Sequence, residues 1–188
     1  MDKYIITGGP GSGKTNLLGA LKYLNYNCSA EASRQLIIQE TEKKSACLPW
    51  LNLECFAEKV LDKMISLYNA TTGNRLTFYD RGIPDIIAYL EVAGIPVTGN
   101  YFKALQTYPY NKNVFILPPW QEIYVNDSER WQTYKEAEQL YWGIMKTYTA
   151  FGFNLIEVPR LSVDERVEFV LNNINDGIPN CEYLSHAK

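Results

Sequence analysis

Eight residues near the beginning of the chain have the types and spacing needed to bind phosphate. The run Gly8-Gly9-Pro10-Gly11-Ser12-Gly13-Lys14-Thr15 fits the pattern G-x-x-x-x-G-K-S/T. Glycines let successive backbone N–H groups turn toward phosphate oxygens. In such a loop the lysine reaches the β- and γ-phosphates, and the last hydroxyl ligates Mg²⁺. The run therefore predicts binding of a nucleoside triphosphate with Mg²⁺, but it leaves open what happens to the phosphate.

The residues on either side of this loop predict a strand and a helix. Tyr4-Ile5-Ile6 is a short apolar run typical of a buried strand, and leucines recur at helical spacing from Leu17 to Leu24. Because strand, glycine loop and helix form the context that the motif requires, a glycine-rich turn that binds nothing is disfavoured.

Further candidates for chemistry follow the predicted strands. In open α/β sheets, ligands bind beyond the carboxyl ends of the strands. Asp80 and Arg81 come directly after a strand rich in β-forming residues. Asp80 could hold the water shell of a metal or act as a base, and the alternative is a helix-capping aspartate. Arg81 offers a fork for phosphate or carboxylate, and the alternative is a surface arginine.

Two weaker candidates lie elsewhere in the chain. Glu31, with Arg34 one helical turn later, follows a short second strand, and it could be a base, a metal partner or a helix-start charge. Arg130 lies in a proline-bounded segment that could close over ATP as a lid, or it could be a solvated residue at a plain helix start. Trp120, Tyr124 and Trp131 could line an acceptor or base pocket, or pack this segment against the body.

The alternation of strand and helix patterns predicts a parallel α/β sheet with about five strands and helices on both sides. Strands are expected near residues 4–6, 27–30, 76–79, 113–117 and 154–158, and the last two helices at Asp127 or Ser128 to Gly152 and at 163–174. We expect one domain over 1–175, with a lid-like segment at about 118–135, and a C-terminal tail over 176–188.

Composition excludes several other classes of function. The net charge of −3 among 188 residues does not indicate a basic surface for binding nucleic acid. No apolar run approaches the length needed to span a membrane. The beginning of the chain lacks a secretory pattern, so a cytoplasmic protein is expected. The four cysteines form no C-x-x-C pair and His186 is the only histidine, so zinc is not expected, the thiols should be free, and any base should be a carboxylate.

With these residues considered together, the chain resembles the small P-loop ATPase/kinase-like proteins described as a predicted AAA-type ATP-binding domain. The matching pieces are residues 8–15, 31–34, 80–85, 118–120, 126–130 and a stretch from Val158 to Phe169. This group is similar in layout to nucleoside and nucleotide kinases and to ribosylnicotinamide kinase. The resemblance implies a P-loop NTPase fold with a helical lid-like insertion, and no AAA+ hexamer. It also implies that Glu31, Asp80, Arg81 and Arg130, with Lys14, share the roles of base, metal partner and phosphate ligand.

Three functions remain open from the sequence. The leading hypothesis is a kinase that moves the ATP γ-phosphoryl group to an unidentified nucleoside- or nucleotide-like acceptor with Mg²⁺. The second is an ATP hydrolase or nucleotide-gated switch that acts with a protein partner, and the third is a binding module without turnover. ATP is favoured over GTP because no guanine-selecting N-K-x-D motif stands in the later part of the chain.

Overall fold

The computed structural model describes residues 2–71, 75–124 and 133–174. Within these ranges the chain alternates between strands and helices, as the sequence predicts. The strands are β1 (Lys3–Gly8), β2 (Asn27–Cys28), β3 (Thr77–Asp80), β4 (Asn113–Leu117) and β5 (Asn154–Glu157). The α-helices are α1 (Lys14–Tyr23), α2 (Ala32–Glu42), α3 (Leu53–Ala70), α4 (Ile83–Val92), α5 (Gly99–Thr107), α6 (Tyr134–Ala150) and α7 (Val163–Ile174). A short 3-10 helix spans Gln121–Ile123.

The strands form one parallel sheet in the order β2-β3-β1-β4-β5. Strand β1 lies at the centre, where Ile5 pairs with Tyr79 of β3 and Val114 of β4. Side chains alternate between the two faces of a strand. Ile5 therefore joins the core beneath α2 to α6, and Ile6 joins the core beneath α1 and α7. Helices cover both faces, which confirms the predicted three-layer α/β fold.

The order of the strands in the sheet determines which loops lie next to each other. The phosphate-binding run follows β1, and the chain segments after β2 and β3 lie on one side of it. The segments after β4 and β5 lie on the other side. All five strands are parallel, so their carboxyl ends open at the same edge of the sheet.

Helix α6 begins later than the sequence pattern suggested. Thr133 caps it: its hydroxyl accepts a hydrogen bond from the Glu136 N–H, and the Glu136 carboxylate accepts one from the Thr133 N–H at 2.6 Å. This reciprocal capping box fixes the start at Tyr134. The predicted start at Asp127 or Ser128 is therefore wrong for this helix, and those two residues lie outside the described part of the chain, as does the predicted tail.

Two of the four cysteines are joined, which corrects the expectation of free thiols. Cys47 and Cys55 form a disulfide because the connection between α2 and α3 folds back and brings their Cα atoms within 5.4 Å. Cys28 is free and half-buried, and Cys181 lies outside the described residues. None of the described helices is both long enough and apolar enough to cross a membrane.

Candidate active site

The phosphate-binding run forms a tight loop between β1 and α1. Gly8, Gly11 and Gly13 have φ angles of 142°, 71° and 87°, a region that side chains other than glycine rarely adopt. A Cβ atom at Gly8 would lie 2.5 Å from the Leu117 carbonyl oxygen, and one at Gly11 would lie 2.5 Å from the Tyr124 ring. The glycines are therefore required for this shape, which leaves the helix N-terminus open to an anion.

Lys14 lies inside this loop rather than extending into solvent. Its Nζ donates hydrogen bonds to the carbonyl oxygens of Gly8 at 2.9 Å and Gly9 at 2.8 Å, and to the Ser12 hydroxyl at 3.3 Å. Burial lowers the pKa of Lys14, and the charge of Arg81 lowers it further. The loop thus holds a buried ammonium group at the position where a triphosphate is predicted to bind.

Asp80 ends β3 and is only 6% exposed. Its backbone N–H donates to the Ser29 hydroxyl at 3.0 Å, and its Oδ1 has no hydrogen-bond partner among the described residues. Burial raises the pKa of Asp80 to about 6, although the charge of Lys14 opposes the shift. Asp80 is not the cap of the next helix, because α4 begins at Ile83 and the Gly82 N–H is bonded elsewhere.

Arg81 is buried and is not the surface arginine of the alternative interpretation. Its backbone has a φ of 69°, and its Nη1 donates to Asp85 Oδ1 at 3.0 Å. Its guanidinium carbon also lies 5.5 Å from the centroid of the Tyr89 ring. Part of the guanidinium fork is therefore used to hold Arg81 in place.

Asp85 is a central residue of the site that the sequence reasoning missed. Its carboxylate is 2% exposed and accepts hydrogen bonds from four groups. Oδ1 accepts from Thr7 Oγ1 at 2.5 Å and from Arg81, and Oδ2 accepts from the Gly82 N–H at 2.9 Å and Tyr148 Oη at 2.6 Å. The one sequence signal was an acidic residue in the first turn of α4, which is typical of a cap. Asp85 thus ties β1, α4 and α6 together below the phosphate-binding loop.

Glu31 precedes α2 without a side-chain capping bond. Its Oε2 lies 3.5 Å from Arg34 Nε, with both side chains about a third exposed or less. Glu31 also lines the cavity beside the phosphate-binding loop, and its place just before α2 keeps the helix-start charge as an alternative interpretation.

Most of these residues surround a cavity of about 460 Å³. Lys14, Glu31 and Arg81 line it together, whereas Asp80 does not line it and acts on Lys14 through its charge. On the β2 and β3 side, the wall includes the apolar side chains of Ile37, Leu53, Phe56, Val60, Met64 and Ile86. Ser33, Arg34 and Tyr89 also line this side. On the β4 and β5 side, the wall includes Trp120, Ile123, Leu161 and Arg166.

The predictions for the aromatic residues and for Arg130 can be checked only in part against the described residues. Trp120 lines the cavity as one predicted aromatic, whereas Tyr124 lies beside Gly11 and contacts Tyr134 ring to ring at 5.5 Å. Arg130 and Trp131 lie outside the described residues. Among the residues that are described, no group of three or more histidine, cysteine, aspartate or glutamate side chains could hold a metal ion by itself.

Comparison with known proteins identifies the family. A model described as AAA domain matches residues 3–166, which is most of the chain. The chain belongs to this AAA domain family. This confirms the resemblance found in the sequence, because the match includes the phosphate-binding loop and all described site residues. No curated protein matches the chain.

Solved structures show the same fold at low sequence identity. Deoxyadenosine kinase from M. mycoides with bound dATP matches at a TM-score of 0.62 and 16% identity, covering 94% of this chain and 100% of that chain. Thymidylate kinase from Candida albicans matches at 0.66 and 14%, covering 93% and 91%. NadR in complex with NR matches at 0.67 and 14%, covering 98% of this chain and 53% of that chain. The fold is therefore one shared with nucleoside and nucleotide kinases.

Proposed function

We propose that this protein is an ATP-dependent phosphotransferase that moves the γ-phosphoryl group to a nucleoside- or nucleotide-like small molecule. One observation carries the proposal: a single cavity runs from the phosphate-binding loop to a separate apolar wall, with Glu31 and Arg81 beside the loop. A hydrolase needs only water beside the γ-phosphate, whereas the apolar side of this cavity offers a surface on which an organic acceptor can pack.

The donor half of the site fits a magnesium nucleotide. The loop glycines leave no space for side chains, and Lys14 supplies a buried positive charge. The Thr15 hydroxyl lines the cavity, and the unpartnered Oδ1 of Asp80 is buried outside its lining; both are oxygen groups of the kind that Mg²⁺ and its water shell prefer. Bound there, Mg²⁺ would neutralise charge that develops on the phosphates.

The acceptor half of the site lies toward α2, α3 and α4. A flat or apolar body would pack against Phe56, Val60 and Met64, which places the acceptor hydroxyl near the loop. Glu31 lines the cavity and is assigned as the base, whereas Asp80 is assigned to the metal. The acceptor oxygen attacks the γ-phosphorus, Glu31 takes the hydroxyl proton, and the bond to the bridging oxygen breaks to release ADP.

Arg81 has a defined part in this scheme. Asp85 fixes one edge of its guanidinium group, so the remaining N–H groups can bind a phosphate oxygen without the entropy cost of ordering a flexible side chain. Arg81 therefore holds the transferring phosphoryl group or an acceptor phosphate.

The test is ADP release by the purified chain with Mg-ATP and a panel of nucleosides, nucleotides and nicotinamide riboside. Acceptor-dependent ADP release, with a phosphorylated product detected by mass spectrometry, is expected for at least one compound. Lys14→Met should abolish it, whereas Lys22→Met, which changes an exposed lysine on the same helix, should not. Turnover that is independent of any acceptor would indicate the hydrolase instead, and no turnover with any compound would refute both.

A further inference from the structure

Arg166, in the first turn of α7, is a buried cation that the proposed transfer scheme does not use. Its side chain is 4% exposed, and its Nη1 has no hydrogen-bond partner among the described residues. Its Nε donates to the Ser162 carbonyl oxygen at 3.4 Å, and no described carboxylate forms an ion pair with it. A buried guanidinium N–H without an acceptor is unfavourable, so this position indicates a ligand that supplies one.

The unpartnered nitrogen points at the phosphate-binding loop. A Cβ atom built on Gly13 would lie 2.8 Å from Arg166 Nη1 and 3.1 Å from Ile123 Cδ1. Gly13 directly precedes Lys14, and Arg166 lines the same cavity as the loop. The guanidinium group therefore reaches the loop from the β5 side, opposite to Arg81.

Trp120 holds this guanidinium group in position. The Arg166 guanidinium carbon lies 5.6 Å from the centroid of the Trp120 ring, within the range of a cation–π contact. Trp120 follows β4 and Arg166 follows β5, so neighbouring strand ends bring the two together. The aromatic ring covers one face of the cation, and Nη1 lies beside the loop at Gly13.

We propose that Arg166, supported by Trp120, binds a phosphate oxygen of the donor nucleotide. This rests on the proposed use of a nucleoside triphosphate, but it does not require any acceptor. A guanidinium edge pairs with phosphate oxygens through charge-assisted hydrogen bonds, which a neutral base acceptor cannot match. Lys14 and Arg166 would then hold the phosphate chain from two sides of the loop.

The experiment measures binding by isothermal titration calorimetry with ATP, inorganic tripolyphosphate and adenosine. Arg166→Met should weaken ATP and tripolyphosphate about 10- to 100-fold, the loss expected for one charge-assisted hydrogen bond, and leave adenosine unchanged. Arg166→Lys should recover part of this loss because it restores the charge without the fork. Arg160→Met, a change to an exposed arginine just before α7, is the matched control and should bind like the wild-type chain.

Three results would overturn the proposal. Unchanged affinity for tripolyphosphate in both Arg166 variants excludes a phosphate contact. Loss of adenosine binding with tripolyphosphate unaffected would assign Arg166 to the base. A wild-type chain that binds no tripolyphosphate has no such subsite.

A chain that binds ATP as expected here but phosphorylates no acceptor would contradict the proposed function alone. If circular dichroism shows that Arg166→Met does not fold, Arg166→Lys alone tests the proposal. The proposal then predicts that Arg166→Lys binds tripolyphosphate more weakly than the wild-type chain.

Discussion

Replacing Asp85 with asparagine tests whether one buried carboxylate holds the candidate site together. Its two oxygens accept hydrogen bonds from Thr7, Arg81, Gly82 and Tyr148. Asparagine keeps one accepting oxygen and places an NH₂ group where the other oxygen stood. Two of the four donors therefore lose their acceptor, and the buried Arg81 cation loses its counter-charge.

The expected cost follows from these contacts. A hydrogen bond to a charged group is worth about 1.5–3 kcal/mol, so two lost bonds amount to about 3–6 kcal/mol. Removing one partner of a buried ion pair costs about 3–5 kcal/mol, which agrees with that range. We therefore expect Asp85→Asn to lower the free energy of unfolding by about 3–5 kcal/mol, a large share of the total for a single domain.

Urea unfolding followed by circular dichroism measures this change. Glu91→Gln is the matched control, because this exposed carboxylate on the same helix accepts a hydrogen bond only from Thr147 among the described contacts, at 3.1 Å, and should cost less than about 1 kcal/mol. Adding Arg81→Met to Asp85→Asn should recover part of the loss by removing the uncompensated charge. A cost below about 1 kcal/mol for Asp85→Asn, or no recovery in the double variant, would refute the reasoning.

Three further outcomes are expected. Burial raises the pKa of Asp80 from 3.8 to about 6, so its stabilising contribution is complete below about pH 4 and is lost as the pH rises through 6. Asp80→Asn should therefore gain in melting temperature relative to the wild-type chain between pH 4 and 7, and an equal difference at both pH values would contradict this. Reduction of the Cys47–Cys55 disulfide, which closes a short loop with a sequence separation of 8, should lower stability by roughly 2–3 kcal/mol. A Cys47→Ser/Cys55→Ser variant should not respond to reductant, and a wild-type melting curve insensitive to reductant would count against the bond. Thr15→Val should reduce the gain in ATP affinity that Mg²⁺ gives over EDTA, and an undiminished Mg²⁺ effect would exclude Thr15 as a ligand.

Local sequence patterns predicted most of the fold. Strand β4 and helix α7 have the predicted bounds. The signal for β4 is an apolar run that ends at two prolines, and the signal for α7 is an amphipathic segment that begins after a serine. Both signals depend only on residues close together in the chain. The start of α6 was missed because Asp127 and Ser128 were taken as caps. The stronger Thr133–Glu136 capping box lay a few residues later. The disulfide was missed because cysteine spacing does not show how a connection folds back.

By itself, the sequence determined the phosphate-binding loop, since its function depends on consecutive backbone N–H groups and on residues adjacent in the chain. Only the tertiary structure decided which distant side chains complete the site. Asp85 bonds to Tyr148, 63 positions away in the chain, and Arg166 reaches the loop at Gly13 from α7. Arg166 meets the loop because parallel strands bring their carboxyl ends to one edge, and Tyr148 meets Asp85 because α6 packs against α4. The energetic contribution of each such group depends on burial, because burial removes competing water. A single buried carboxylate or guanidinium group therefore has a large effect on the site.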